Sequence, residues 1–363
     1  MRTVGLPTGG GGAQWSWRDG DGTGGERVGG VVDRRTGALV TPSTTFHGFS
    51  TTKPITALAV LQLAAQGRID LEAPLRDALP ELPYANGATI AEVLTHQAGL
   101  PNPIPVAWAH RAEDHAAFDE DKFIADVLAS HPRAGPAGVR VSYSNVGYLL
   151  LGRLIARVRG VPYATAIREH VLQVVLASHA CGSSEDKPYL DFDLPAVGHA
   201  VAYTALISAF GWWVPLLPDP QRLRTREGLY IRYAPFHLHG AAYGGIKGNA
   251  AGFMAWLTAA ARRDERLLTR AWWERMFAPT RLRDGRPTGL ALGWFTGRLG
   301  DDRWVHHPGG GPGYYAETRI YPDREAASVL LTSTTAAVDR RLLDRLDSTW
   351  LTVNRGRRGP DSP

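Results

Sequence analysis

Strand-like sequence lies near both ends of this chain, and residues 50–285 between them read mainly as helix. At the start, RVGGVVDRRTGALV reads as two short strands joined by a turn at RRTG. At the end, TGLALGWFTGR, RWVHH, YAETRIYPD and AASVLLTSTT read as four strands with turns at LGDD and PDRE, and AAVDRRLLDRLDSTWLTV closes as a helix. Two strand groups this far apart pack most simply as one antiparallel sheet. The helical block is then an inserted lobe, and a cleft forms between the two. The fold class expected is α+β: an antiparallel sheet flanked by helices, with a mostly helical lobe.

Within the block, a helix opens at Ser50, carries Ile55, Leu58, Leu61 and Leu63 on its apolar face, and has Gly67 as a C-cap. Further helices run from Thr89 to Gly99, from Asn145 to Gly160, and through YATAIREHVLQVV, GNAAGFMAWLTAAARR and TRAWWERMF. The domain expected spans 26–353, with a sheet subdomain of 26–49 plus 286–353 and a helical lobe of 50–285. Residues 1–25 are glycine-rich and expected to be poorly ordered, and 354–363 form a disordered tail.

Composition removes several function classes. The net charge is +5, but the basic residues are mostly arginines scattered among acids, and no nucleic-acid motif accompanies them. A single cysteine, Cys181, allows no intrachain disulfide. The opening MRTVGLPTGGGG has no apolar signal region, so a cytoplasmic protein is expected. Residues 196–217 lack any acid, Lys or Arg but contain His199, two glycines and Pro215. They read as a buried helix or a hydrophobic lid over a site rather than a span, so membrane contact is not expected.

Three motifs carry chemistry. In FHGFSTTKPIT, Ser50 precedes Lys53 by three positions, one helical turn. A serine hydroxyl needs a base to become a nucleophile, and a buried lysine loses its proton readily enough to be one. The plain alternative is that Ser50 caps a helix whose first turn holds Pro54. In VSYSN, Tyr143 can carry a proton if cationic neighbours lower its pKa, and Asn145 can orient a substrate carbonyl while accepting from the lysine. The alternative is a loop tyrosine and an Asx-type cap at Asn145. In HHPGGGPGYYAE, glycines let backbone approach a ligand closely, and His307 faces the cleft as a donor or partial cation.

Together, S-x-x-K at 50–53, Y-x-N at 143–145 and H-x-G at 307–309 resemble the three motifs of the serine β-lactamase and penicillin-binding protein superfamily. The form is most like its class C-like branch of D-alanyl-D-alanine peptidases, D-aminopeptidases and esterases. VLTHQAGLP, AAYGGIKGNAAGFMAWL and GLALGW also resemble segments of that family, and the likeness covers about 30–335. The resemblance implies a β-lactamase/transpeptidase-like fold with Ser50 as nucleophile, Lys53 as base and Tyr143 as second proton carrier. It further implies an oxyanion hole from the backbone N–H groups of Ser50 and Gly310, and substrate contacts at Asn145, His307 and Gly309. No metal or organic cofactor is implied. The partner is a small ester or amide, with no nucleic acid, and the oligomeric state is left open.

Three departures bear on the expectation. TGGGGAQWSWRDGDGTGG stands where the family carries an N-terminal helix and strand, which puts part of the sheet in question. Pro308 replaces a residue that commonly bears a hydroxyl, and the apolar segment 196–217 lies where substrate walls vary. A weakened carboxylate site and a wall from Trp212 and Trp213 favour an esterase for small or lipophilic esters. The alternatives are a β-lactamase, a D-Ala-D-Ala carboxypeptidase or D-aminopeptidase, and a non-catalytic binding relative. An α/β-hydrolase is excluded, since GFSTT lacks the second glycine of its nucleophile motif.

Overall fold

A computed structural model describes residues 4–103, 108–177, 187–195, 198–208, 214–335 and 342–355. The predicted sheet is present, antiparallel throughout, with seven strands: β1 (Gly12–Arg18), β2 (Gly24–Gly30), β3 (Leu290–Ala291), β4 (Trp294–Leu299), β5 (Asp302–Gly311), β6 (Tyr314–Tyr321) and β7 (Ala326–Thr332). Their spatial order is β3-β4-β5-β6-β7-β1-β2, so the N-terminal hairpin completes a sheet built by the C-terminal strands.

β1 corrects the expectation that residues 1–25 are poorly ordered. Trp15 and Trp17 alternate toward the helix that covers one face, Leu342–Arg355, where Trp17 stacks on Trp350 at 4.9 Å. On the other face the buried Gln14 amide donates to the carbonyls of Thr41, Pro42 and Thr44, and its oxygen accepts from Ala250 N–H at 2.7 Å. Strand pairing on both sides, two tryptophans and one buried clamp outweigh the glycines around them. The hairpin expected at RRTG is reduced to a single Val31–Leu39 bridge, because β2 pairs with β1 instead.

The helices used below are α1 (Lys53–Ala65), α2 (Asn145–Arg159), α3 (Ala250–Ala261) and α4 (Leu342–Arg355). α3 lies within the interval assigned to the lobe, yet it packs across β7, β1 and β6 and belongs to the sheet layer. α1 packs against α2 in the lobe, and both present continuous buried apolar surface. α4 covers the opposite sheet face with Leu343, Leu346 and Trp350, and Arg319 of β6 ties it down through Asp344 at 2.7 Å.

The lobe is less helical than expected. It contains a flap of three short strands, Tyr203–Ala205, Arg224–Glu227 and Tyr230–Tyr233, and a strand pair, Ala109–Arg111 with Phe236–Leu238. Of the two alternatives for the apolar segment 196–217, its described residues form no helix of the expected kind, and Thr204, Val214 and Leu217 among them line the cavity described below. Its described part holds a flap strand and a turn at Val214–Leu216. Trp212, Trp213, Cys181 and most of the 354–363 tail lie outside the described residues. Among the described residues, no helix is long and apolar enough to cross a membrane.

Candidate active site

Ser50 sits in a turn built by its neighbours. The strand Phe46–His47 pairs with Lys247–Gly248, and Gly48 N–H donates to the Ile246 carbonyl at 2.9 Å. The chain then bends through Phe49, whose φ of 47° lies in the left-handed region that costs a non-glycine residue energy. The Thr51 and Thr52 hydroxyls hold the bend by donating to the carbonyls of Gly48 and Phe49, at 2.8 and 2.7 Å. A 3-10 turn, Phe49–Thr52, leads into α1, with Pro54 in its first turn. Ser50 is therefore not the helix cap that the plain alternative made it. Its hydroxyl makes no capping bond and opens into the cavity.

That hydroxyl oxygen accepts from Lys53 Nζ at 2.9 Å and from Tyr143 Oη at 2.9 Å. Lys53 is fully buried, and its amine also donates to Asn145 Oδ1 at 2.9 Å and the Tyr243 carbonyl at 2.8 Å. The rings of Tyr143, Tyr148 and Tyr243 surround it at 5.0, 5.4 and 5.5 Å. All its described partners are neutral, so burial pushes its pKa well below the usual lysine value. A neutral amine next to a serine hydroxyl can take its proton.

Tyr143 departs from the expectation in sign. Burial raises its pKa, and the hydrogen bond to Ser50 offsets this only in part. It is a neutral phenol that donates to Ser50, not a phenolate prepared by cations. His96, whose pKa burial lowers to about 3 with a smaller push from Lys53 when that amine is protonated, packs at a tilt against the Tyr143 ring at 4.2 Å and accepts from Ser144 N–H. Ser144, not Asn145, caps α2 by accepting from Gly147 N–H at 3.0 Å. This leaves the Asn145 amide free for Lys53, while Asn102 Oδ1 accepts from Asn145 N–H.

The third motif lies on β5. His307 is buried, with Nδ1 2.7 Å from the Pro308 carbonyl, a geometry in which Nδ1–H donates and Nε2 is left available. Burial holds it well below the usual histidine range, with Lys53 adding to this whenever that amine is protonated, so it is a neutral hydrogen-bonding group rather than a partial cation. A Cβ on Gly309 would lie 2.1 Å from the Gly48 carbonyl oxygen and 3.0 Å from Ser50 N. One on Gly311 would lie 2.1 Å from the Phe49 ring, whereas one on Gly310 meets nothing closer than 3.8 Å. The edge of β5 thus runs against the Ser50 turn at a separation that only glycine permits at 309 and 311.

Ser50, Tyr143, His307, Gly309 and Gly310 line one cavity of about 830 Å³. Val214, Leu217, Leu223 and Leu238 form its apolar wall, and Phe295 faces His307 edge-on at 5.3 Å. Its two arginines are engaged: Arg224 with Asp219 at 3.4 Å, and Arg319 with Glu317 at 3.2 Å and Asp344. The roles of His96, Asn102 and the Tyr243 carbonyl were not assigned from sequence. THQAGLP and AAYGG marked their segments, but side-chain identity gives no warning of a backbone carbonyl.

A model of the Beta-lactamase family matches residues 9–348. The chain is 27% identical over 291 residues to penicillin-binding protein 4* of Bacillus subtilis, covering 79% of this chain and 60% of that protein. It is 33% identical over 176 residues to esterase EstB of Burkholderia gladioli, covering 45% and 44%. The chain thus spans less than two thirds of either relative's length. Its fold superposes on D-amino acid amidase from Ochrobactrum anthropi SV3 with a TM-score of 0.72 at 19% identity, covering 96% of this chain and 95% of that one. With three motifs meeting around one serine and the family match extending over nearly the whole chain, the protein belongs to the Beta-lactamase family, within the serine β-lactamase and penicillin-binding protein superfamily.

Proposed function

We propose that this protein is a serine hydrolase that works through an acyl-enzyme on Ser50, with small or lipophilic carboxylic esters as substrates. The observation that carries the reading is the convergence of Lys53 Nζ and Tyr143 Oη on Ser50 Oγ at the floor of an apolar cavity. Lys53 takes the Ser50 proton as Oγ bonds to the ester carbonyl carbon, and the electron pair moves to the carbonyl oxygen. The Ser50 and Gly310 N–H groups hold that oxyanion. On collapse, the alcohol leaves with a proton from Tyr143, and the proton that Lys53 took from Ser50 passes to the Tyr143 phenolate, the two groups flanking Ser50 Oγ. Water then attacks the acyl group by the same route in reverse and releases the acid. Asn145 and the Nε2 edge of His307 position the substrate, and Gly309 gives it room along β5.

The ester preference rests on charge. A substrate carboxylate needs a free cation nearby, but His307 is neutral and the cavity's arginines already have carboxylate partners. Labelling with a fluorophosphonate probe is expected for the wild type and not for Ser50→Ala. Turnover of p-nitrophenyl butyrate is expected to exceed that of a chromogenic cephalosporin or a D-Ala-D-Ala peptide. Labelling that survives Ser50→Ala removes the mechanism, and turnover of only the latter two substrates removes the ester preference.

A further inference from the structure

The three-stranded flap over the cavity has two unlike faces. Inward, Thr204, Leu223 and Tyr233 line the cavity together with Val214 and Leu217 of the adjoining turn. Outward, the tip carries Ile207, 82% exposed, and Leu229, 60% exposed, drawn to one end by the bond from Leu206 N–H to the Leu229 carbonyl. Large apolar side chains presented together to water in this way mark a docking surface.

Charge specifies the occupant. Arg226 Nε donates to the Gly228 carbonyl at 3.2 Å, which brings its guanidinium beside Leu229. Arg34 stacks over the Tyr230 ring at 3.9 Å. Neither arginine has an ion-pair partner among the described residues. The acids at this end are already matched, Glu227 to Arg35 and Asp33 to Arg232. An apolar tip flanked by two arginines without ion-pair partners among the described residues complements a surface with anionic groups above an apolar interior.

We propose that the flap tip docks on anionic lipid bilayers, inserting Ile207 and Leu229 while Arg34 and Arg226 engage the headgroups. The docking requires no chemistry at Ser50. Its benefit, delivery of lipophilic esters to the cavity behind the flap, rests on the function proposed above.

The test is co-sedimentation with phosphatidylglycerol vesicles and with phosphatidylcholine vesicles. It uses wild type, Ser50→Ala, the double variant Ile207→Ser with Leu229→Ser, and the double variant Arg34→Gln with Arg226→Gln. Expected is binding of wild type and Ser50→Ala to the anionic vesicles, at least tenfold weaker for either double variant, and weak binding to the zwitterionic ones. Unchanged hydrolysis of a soluble ester, or an unchanged melting temperature if no ester is turned over, shows that the variants are folded. The proposal is overturned if wild type stays in solution with anionic vesicles, or if both double variants bind as it does. It is also overturned if light scattering shows the patch buried in a dimer that Ile207→Ser with Leu229→Ser dissociates, because the occupant is then a second copy.

Discussion

Gly309 sets how closely β5 can approach Ser50. Gly309→Ala places a methyl group against the Gly48 carbonyl, so either the strand edge or the nucleophile turn has to move. A displacement of about 1 Å there is expected to lower kcat about 100-fold, while circular dichroism stays native. Lys53 is the base in the mechanism proposed above. Its folded pKa is depressed by burial, so the neutral amine persists far below the pH at which an exposed lysine would be charged. As pH falls through that depressed value the base is protonated, and kcat/KM is expected to decline on the acid side. Lys53→Arg keeps a cation at every accessible pH and is expected to cost on the order of 1000-fold in kcat, with the pH profile losing that limb.

At the scale of elements, Arg319 joins β6 to α4. It is the shared cation for Glu317, Asp344 and Asp347, and Asp347 also accepts from the Tyr321 and Ser328 hydroxyls at 2.6 and 2.9 Å. Arg319→Ala leaves these carboxylates without their cation and is expected to destabilise the fold by about 3–5 kcal/mol, measured by urea unfolding. Most elements were legible because apolar periodicity and caps agree: α2 starts where S-N-V-G-Y announces it and ends at Gly160 in the left-handed conformation. β1 was not legible. Its glycines suggested disorder, and the W-S-W alternation gains meaning only once α4, more than three hundred residues later in the chain, is known to cover it. In the site, the three motifs identified Ser50, Lys53, Tyr143, Asn145 and His307 as neighbours. The protonation states of Tyr143 and His307 stayed open, the first hanging on cationic neighbours and the second between donor and partial cation, because burial is a property of the assembled molecule and a local sequence shows only which charges are near.

Across the whole molecule, buried basic groups set the pH response. Behind the nucleophile turn lies Lys247, whose pKa burial lowers to about 7, and near it His110, His239 and His237, which burial first, and for His110 and His237 neighbouring cations as well, depress to about 4, 4 and 2. A depressed pKa in a basic group means that the unfolded chain takes up protons first. Lys247 therefore loses stability as pH falls from about 10.5 to 7, and the histidines as it falls from about 6.5 to 4. Asp347, raised to about 6 by burial, works in the opposite direction but is a single group. The melting temperature is expected to fall steadily from pH 9 to pH 5. Lys247→Met should raise it at pH 7 by a few degrees and flatten the upper part of the curve.

The contact between Gly309 and the Ser50 turn joins residues from opposite ends of the chain. Synthesis delivers the proposed nucleophile, base and proton carrier long before the strand that fixes their geometry. A nascent chain lacking β5 to β7 would hold Ser50, Lys53 and Tyr143 with neither the sheet nor the glycine edge that shapes the turn. Such long-range pairing is slow to form. In refolding experiments, burial of Trp273, on the lobe helix Arg270–Phe277, should therefore precede probe labelling of Ser50. The reactive serine would stay silent until the last strands dock, which is a timing control written into chain order alone.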